Sequence, residues 1–303
     1  MNQGERLGHA REGFAVGPVQ PRGFLRATGP DARDFLHRMS TQDLGGLAPG
    51  EAAYSAFLTP RGHLLGEGQV LVRDADVVVA LEPAALAGTR AHLEKLVIMD
   101  DVVFEDLSEG WRAVPVFGPD ALRRLERGGG DAPRVTTLRR GAPCAELWLP
   151  AAEAGARRAA LVADGAVELT EEDLEALRVL GGIPRYGVDM DDSRLPMEAG
   201  LTRDAISFGK GCYVGQETVM RATARGHLQR GLVQLSLPAQ ASRGAKLLSG
   251  GQEVGEVTSA VDTPDGRLGL GYVRRSFWPE ATRLATEGGE AVVRRQIVWE
   301  PEG

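Results

Sequence analysis

One thiol stands in an unusual setting. Residues 207–221 read Ser-Phe-Gly-Lys-Gly-Cys-Tyr-Val-Gly-Gln-Glu-Thr-Val-Met-Arg, so Cys212 lies among Gly209, Gly211 and Gly215, with Lys210 two residues before it. From Gln216 the pattern Glu-Thr-Val-Met-Arg-Ala-Thr-Ala-Arg predicts a short helix, which places Cys212 just before a helix N-terminus. A helix start and a nearby cation both favour thiolate over thiol. One reading is therefore a poised, accessible thiol. The competing reading is a small apolar residue packed under Tyr213, with Lys210 turned to water. A second candidate is Glu198, in Arg-Leu-Pro-Met-Glu-Ala-Gly at 194–200. A carboxylate accepts two parallel hydrogen bonds, which suits an amino group next to a ring N–H. The alternative there is a surface glutamate in a turn.

Few other residues have the spacing of a chemical site. The two cysteines, Cys144 and Cys212, cannot make a disulfide framework or a Cys-only four-ligand cluster. There is no Cys-x-x-Cys and no Cys/His group at zinc-ligand spacing, and the five histidines are scattered. The net charge of −7 speaks against a general nucleic-acid binder but not against an anionic ligand held by local cations. The first residues lack an apolar signal core, and runs such as Asp-Val-Val-Val-Ala-Leu are too short to span a bilayer. A reducing cytoplasm is the expected location, with no membrane partner.

The elements that would position these residues follow from turn chemistry and periodicity. Residues 24–36 (FLRATGPDARDFL) and 113–125 (AVPVFGPDALRRL) share a strand, then Gly-Pro-Asp-Ala, then a helical pattern. In each, Gly ends the strand, Pro sets the turn and Asp can cap or favour the first helical turn. This repeat predicts two related α+β halves. Helices are expected over 83–96, near 151–165, and over 170–180 behind a Thr-Glu-Glu-Asp capping signal. From about residue 228, short strand candidates alternate with Gly, Pro and Asp, as in a small all-β domain. The boundary falls near Arg225-Gly226, giving a body at 1–225 and a second domain at 226–303.

The stretch FGKGCYVGQETVMR resembles the K-G-C-Y-x-G-Q-E signature of the YgfZ family of folate-binding proteins, relatives of the aminomethyltransferase (T-protein) of the glycine cleavage system. Lys210, Gly211, Cys212, Tyr213, Gly215, Gln216 and Glu217 carry the match. Segments TGPDARDFLHRMSTQDL, FLTPRGHLL, RLPMEAG and GEVTSAVDTPDGRLGLGYVRR extend the resemblance over nearly the whole chain. It implies an α+β fold of two ferredoxin-like halves plus a C-terminal β-barrel, in a T-protein-like ring around a central cavity for tetrahydrofolate or a one-carbon derivative. It implies that Glu198 grips the pterin, that Cys212 and Lys210 form the reactive pair, and that Arg221 or Arg225 meets the glutamyl carboxylates. Tyr213 and Gln216 would complete the loop around the ligand.

The role implied is a folate-dependent accessory protein for iron–sulfur cluster assembly or repair in enzymes such as tRNA-modifying ones, met transiently. One segment departs from the aminomethyltransferase pattern. Where that enzyme carries a Gly-x-Ile-Leu-Asp-Asp-like stretch, this chain has Gly62-His63-Leu64-Leu65-Gly66-Glu67. Displacing a catalytic carboxylate by about 1 Å can cost on the order of a hundredfold in rate. Classical aminomethyl transfer is thus the alternative reading, with Glu67 standing in for the missing aspartate.

Overall fold

The computed structural model describes residues 1–127, 134–137, 140–224 and 228–299. Helix α1 (Gln3–Glu12) leads into β1 (Ala15–Val16). The first half then runs β2 (Gly23–Thr28), α2 (Ala32–Met39), β3 (Ala52–Leu58), β4 (Leu64–Val72), β5 (Asp76–Leu81), α3 (Pro83–Leu96) and β6 (Val103–Asp106). The second runs β7 (Trp111–Phe117), α4 (Pro119–Arg127), β8 (Arg134–Thr137), β9 (Cys144–Pro150), α5 (Ala151–Ala163), β10 (Val167–Glu168) and α6 (Glu171–Gly181). Short helices α7 (Thr202–Ala205) and α8 (Gln216–Ala224) precede β11 (Arg230–Ser236), β12 (Lys246–Ser249), β13 (Gln252–Thr263), β14 (Gly266–Arg274), β15 (Arg283–Thr286) and β16 (Gly289–Gln296). Among the described residues the strands form sheets in the orders β3-β4-β5-β2-β6 and β10-β1-β7-β9-β8, and a closed barrel β11-β14-β13-β12-β15-β16. This is the α+β architecture with a C-terminal barrel that the sequence predicts.

The Gly-Pro-Asp-Ala repeat is real in three dimensions. Gly29 has φ +109° and Gly118 φ +95°, and a Cβ on either would come within 2.1 Å of a backbone carbonyl, of Asp101 and of Gly13 respectively. Only glycine can turn the chain at such a conformation and such a close approach. Asp31 acts differently from a simple cap. It makes no capping bond; its Oδ2 accepts the Asp101 N–H at 2.8 Å and ties the turn to the strand beside it.

The two halves are not separate in sequence. Residues 3–19 belong to the second: β1 pairs antiparallel with β7 and parallel with β10. Phe14 and Val16 are buried in the core that α4, α5 and β9 also supply. Helix α1 carries its own signal, a capping box in which Asn2 and Glu5 bond reciprocally. At α6 the expected box forms between Thr170 and Asp173, and the helix stops at Gly182 with φ +70°. Asp173 also receives Arg6 of α1 at 2.6 Å, so the N-terminal segment is pinned to α6. No helix among the described residues is long and apolar enough to cross a membrane.

Candidate functional site

A cavity of about 440 Å³ lies where β4 of the first half, β8 and β9 of the second, and residues 171–185 converge. That volume is in the range of small-molecule sites. Its lining is mostly charged: Arg22, Arg140, Arg178 and Arg185 among Glu67, Glu82, Glu146, Glu171, Glu172 and Glu175.

Strand alternation explains how Glu67 enters it. Gly66 faces α3, where a Cβ would meet Thr89 Oγ1 at 2.6 Å and Ala85 Cβ at 2.9 Å, so the helix leaves no room for a side chain. Glu67 points the other way, is buried, and accepts a hydrogen bond from the Tyr54 hydroxyl at 2.6 Å. Two residues on, Gln69 donates to Thr137 Oγ1 at 3.0 Å and joins the two halves across the cavity.

Arg22 precedes β2 and is 8% exposed. One of its nitrogens, Nη1, bonds Glu82, whereas its Nε is buried without a hydrogen-bond partner. Burial works against its charge, but Glu82, Glu146 and Glu67 outweigh it and hold the guanidinium protonated. Burial likewise pushes Glu146 up, and Arg140 and Arg22 more than reverse it, leaving its pKa at about 2. Arg140 Nε reaches Glu146 at 2.6 Å, and Trp148 Nε1 donates to the other oxygen at 3.3 Å. The far wall is anchored to the barrel. Arg178 bonds Glu175, the Ile183 carbonyl, Asp189 and Ser259 of β13, and Asp189 in turn accepts from Thr258 and Ser259.

Of the residues singled out from the sequence, Glu67 lines this cavity; Glu198, Lys210, Cys212, Tyr213, Gln216 and Arg221 do not. Arg225 lies outside the described residues. Glu198 is half-buried and its Oε2 sits 3.4 Å from the Leu195 N–H. Cys212 is exposed, and Gln216 opens α8 as expected. Lys210 departs from the reading that turned it to water. Its Nζ is buried and donates to the carbonyls of His37, Ser40 and Gln42, the last two at 2.8 and 2.9 Å. Burial presses its pKa down to about 8, against the pull of Asp43. An ammonium has three donors, and here three carbonyls at the end of α2 take them. Tyr213 packs its ring 5.3 Å from that ammonium, and burial raises its hydroxyl to about 12. Arg221 pairs with Glu217 one turn back on α8, both largely exposed. Gly215 has φ +82°, and a Cβ there would meet the Thr59 carbonyl at 2.7 Å, so the loop docks on the turn between β3 and β4.

Arg22, Tyr54, Glu82, Arg140, Glu146, Arg178 and Arg185 carry no motif. A trace exists only at Glu146, a charge inside the otherwise apolar Cys-Ala-Glu-Leu-Trp-Leu. No group of three His, Cys, Asp or Glu able to hold a metal comes together among the described residues.

Comparison with known proteins agrees with this architecture. Residues 5–132 match the model of the GCVT N-terminal domain family. The aminomethyltransferase of Rubrobacter xylanophilus is 29% identical over 301 residues, covering 92% of this chain and 78% of that one. A chloroplastic protein of Arabidopsis thaliana, named as a transferase without a stated substrate, is 24% identical over 297 residues, 90% of this chain and 68% of its own. The crystal structure of glycine cleavage system aminomethyltransferase T from Bartonella henselae superposes with a TM-score of 0.83 at 22% identity, over 96% of this chain and 87% of that one. Over residues 5–132 the chain is thus similar to the GCVT N-terminal domain family, and over nearly its whole length its fold is that of the aminomethyltransferase T structure.

Proposed function

We propose that the central cavity binds the pterin end of tetrahydrofolate or of a one-carbon derivative, between Arg22 and Glu67. The observation that carries this reading is the Arg22 Nε, buried at the cavity with no acceptor. An unmatched buried donor costs about 1–3 kcal/mol, which a ligand acceptor would relieve. A pterin edge offers a carbonyl acceptor beside an N–H and an amino group; the carbonyl suits Arg22 and the donors suit the Glu67 carboxylate. The test is calorimetric titration with tetrahydrofolate. The wild type binds, Glu67→Gln weakens binding by about 10- to 100-fold, and Glu198→Ala leaves it unchanged. Absence of wild-type binding, or a loss confined to the Glu198 variant, overturns the assignment.

For the role of the bound folate we infer an accessory factor of the YgfZ kind, supporting iron–sulfur enzymes, with the exposed Cys212 as its working thiol. The Lys-Gly-Cys-Tyr-Val-Gly-Gln-Glu match and the accessibility of that sulfur support it. Lys210, Tyr213 and Gln216 then act by shaping the loop. Replacing Cys212 by Ala and assaying a cluster-dependent tRNA-modifying enzyme in cells tests this; unimpaired modification rules it out. A second reading, one-carbon transfer, is favoured by the Glu67 carboxylate in the cavity and by the names of the similar proteins. It predicts methylene transfer from an aminomethyl-lipoyl donor, abolished in Glu67→Gln.

A further inference from the structure

A second cleft, of about 540 Å³, opens at the root of the barrel between Arg194 and the ends of β11, β13 and β14. It shares no lining residue with the central cavity. Three arginines line it: Arg194, Arg230 and Arg274. Arg230 and Arg274 are direct cross-strand partners on β11 and β14, so their side chains share one face of the ladder. Like charges placed opposite each other destabilise a sheet unless an anion lies between or above them. No hydrogen bond or ion pair joins either guanidinium to an acid among the described residues. Arg194 stacks 4.1 Å over the ring of Tyr272, which also lines the cleft. Tyr272 is 3% exposed, and its hydroxyl is buried with no hydrogen-bond partner. The acids on the rim, Glu253 and Glu256, are partly compensated, because both bond Lys246 of β12, at 3.2 and 2.5 Å. Among the lining residues Arg194, Arg230 and Arg274 thus outnumber Glu253 and Glu256, although the chain as a whole carries −7 and Asp189, Glu198 and Asp191 also act on the Tyr272 hydroxyl.

We propose that this cleft is a second binding site, for a small, multiply charged oxyanion held by Arg194, Arg230 and Arg274, with the Tyr272 hydroxyl as a further donor. A guanidinium fork matches both carboxylate and phosphate, so the chemistry is a polycarboxylate or a phosphate ester. The site does not depend on the folate reading, and the probes used to test it are not folates. Calorimetry on the whole protein at low ionic strength, with pyrophosphate and with citrate, is the direct experiment. At least one probe binds with a dissociation constant below about 1 mM, and Arg230→Gln and Arg274→Gln each weaken it by about tenfold. Pyrophosphate alone binding assigns a phosphate ester; citrate alone assigns a polycarboxylate. Both arginines are exposed, so the variants fold. Tyr272→Phe separates ligation from packing: removing an unmatched buried donor leaves the melting temperature of the free protein unchanged or higher, while affinity for the probe falls. Failure of both probes to bind, or binding indifferent to the two arginine substitutions, overturns the proposal.

Discussion

The central cavity and the loop at 207–216 are built from opposite materials. The cavity gathers charged side chains from sequence positions as distant as Arg22, Glu67, Glu146 and Arg178, with no two of these four adjacent in the chain. The loop concentrates glycines, one lysine and one cysteine in ten consecutive residues. Yet the loop's ammonium is buried on backbone carbonyls, and one of its glycines, Gly215, answers to close backbone approach. The cavity, most of whose charged residues carry no motif, holds an unmatched donor in Arg22 Nε, and the loop holds one in the buried Tyr213 hydroxyl. A conspicuous signature can therefore mark a clasp that fastens elements together. The candidate cavity lies where strands from the two halves meet.

That contrast can be broken by substitution. The largest effect is expected at Lys210. Lys210→Met leaves three carbonyls without their charged donor and lowers stability by about 3 kcal/mol, read as the midpoint of urea unfolding. If the ammonium instead served the thiol, stability would hold and only the reactivity of Cys212 would fall. In the cavity, Arg22→Lys keeps the charge but loses the planar fork, so tetrahydrofolate affinity drops by about tenfold with little change in unfolding.

The acid limb of stability sharpens the same comparison. Glu146 has its folded pKa held at about 2, against an ordinary value of 4.5. A depressed carboxylate adds stability that is complete above its unfolded pKa and is lost as pH falls through the folded one. The wild type should therefore lose stability between about pH 4.5 and pH 2, and Glu146→Gln should flatten that slope. The loop contributes no such buried carboxylate. The smallest effect belongs to Cys212: Cys212→Ser changes stability by less than about 0.5 kcal/mol, as at other exposed positions. In the native protein a thiol reagent should modify Cys212 at once and Cys144 only after unfolding, since Cys144 is wholly buried and burial raises its thiol pKa.

Local chemistry in the sequence determined a good deal. The Gly-Pro-Asp-Ala turns, the Thr170 capping box, the helix at 83–96 and the late run of short strands are set by backbone conformation and periodicity within a few residues, and all appear in the fold. Other features were decided only by tertiary packing. Residues 3–19 cross to the second sheet because the apolar surface waiting for Phe14 and Val16 is made by β7, β9 and α5, far along the chain. Gly66 replaces a side chain because α3 occupies that face, while Glu67 beside it turns inward by strand alternation. Arg22 and Glu146 read as ordinary charges until two sheets enclose them. Exclusion of water makes their pairing obligatory and an unmatched Nε a reason to expect a ligand. Such burial depends on surfaces remote in sequence, which no short window contains.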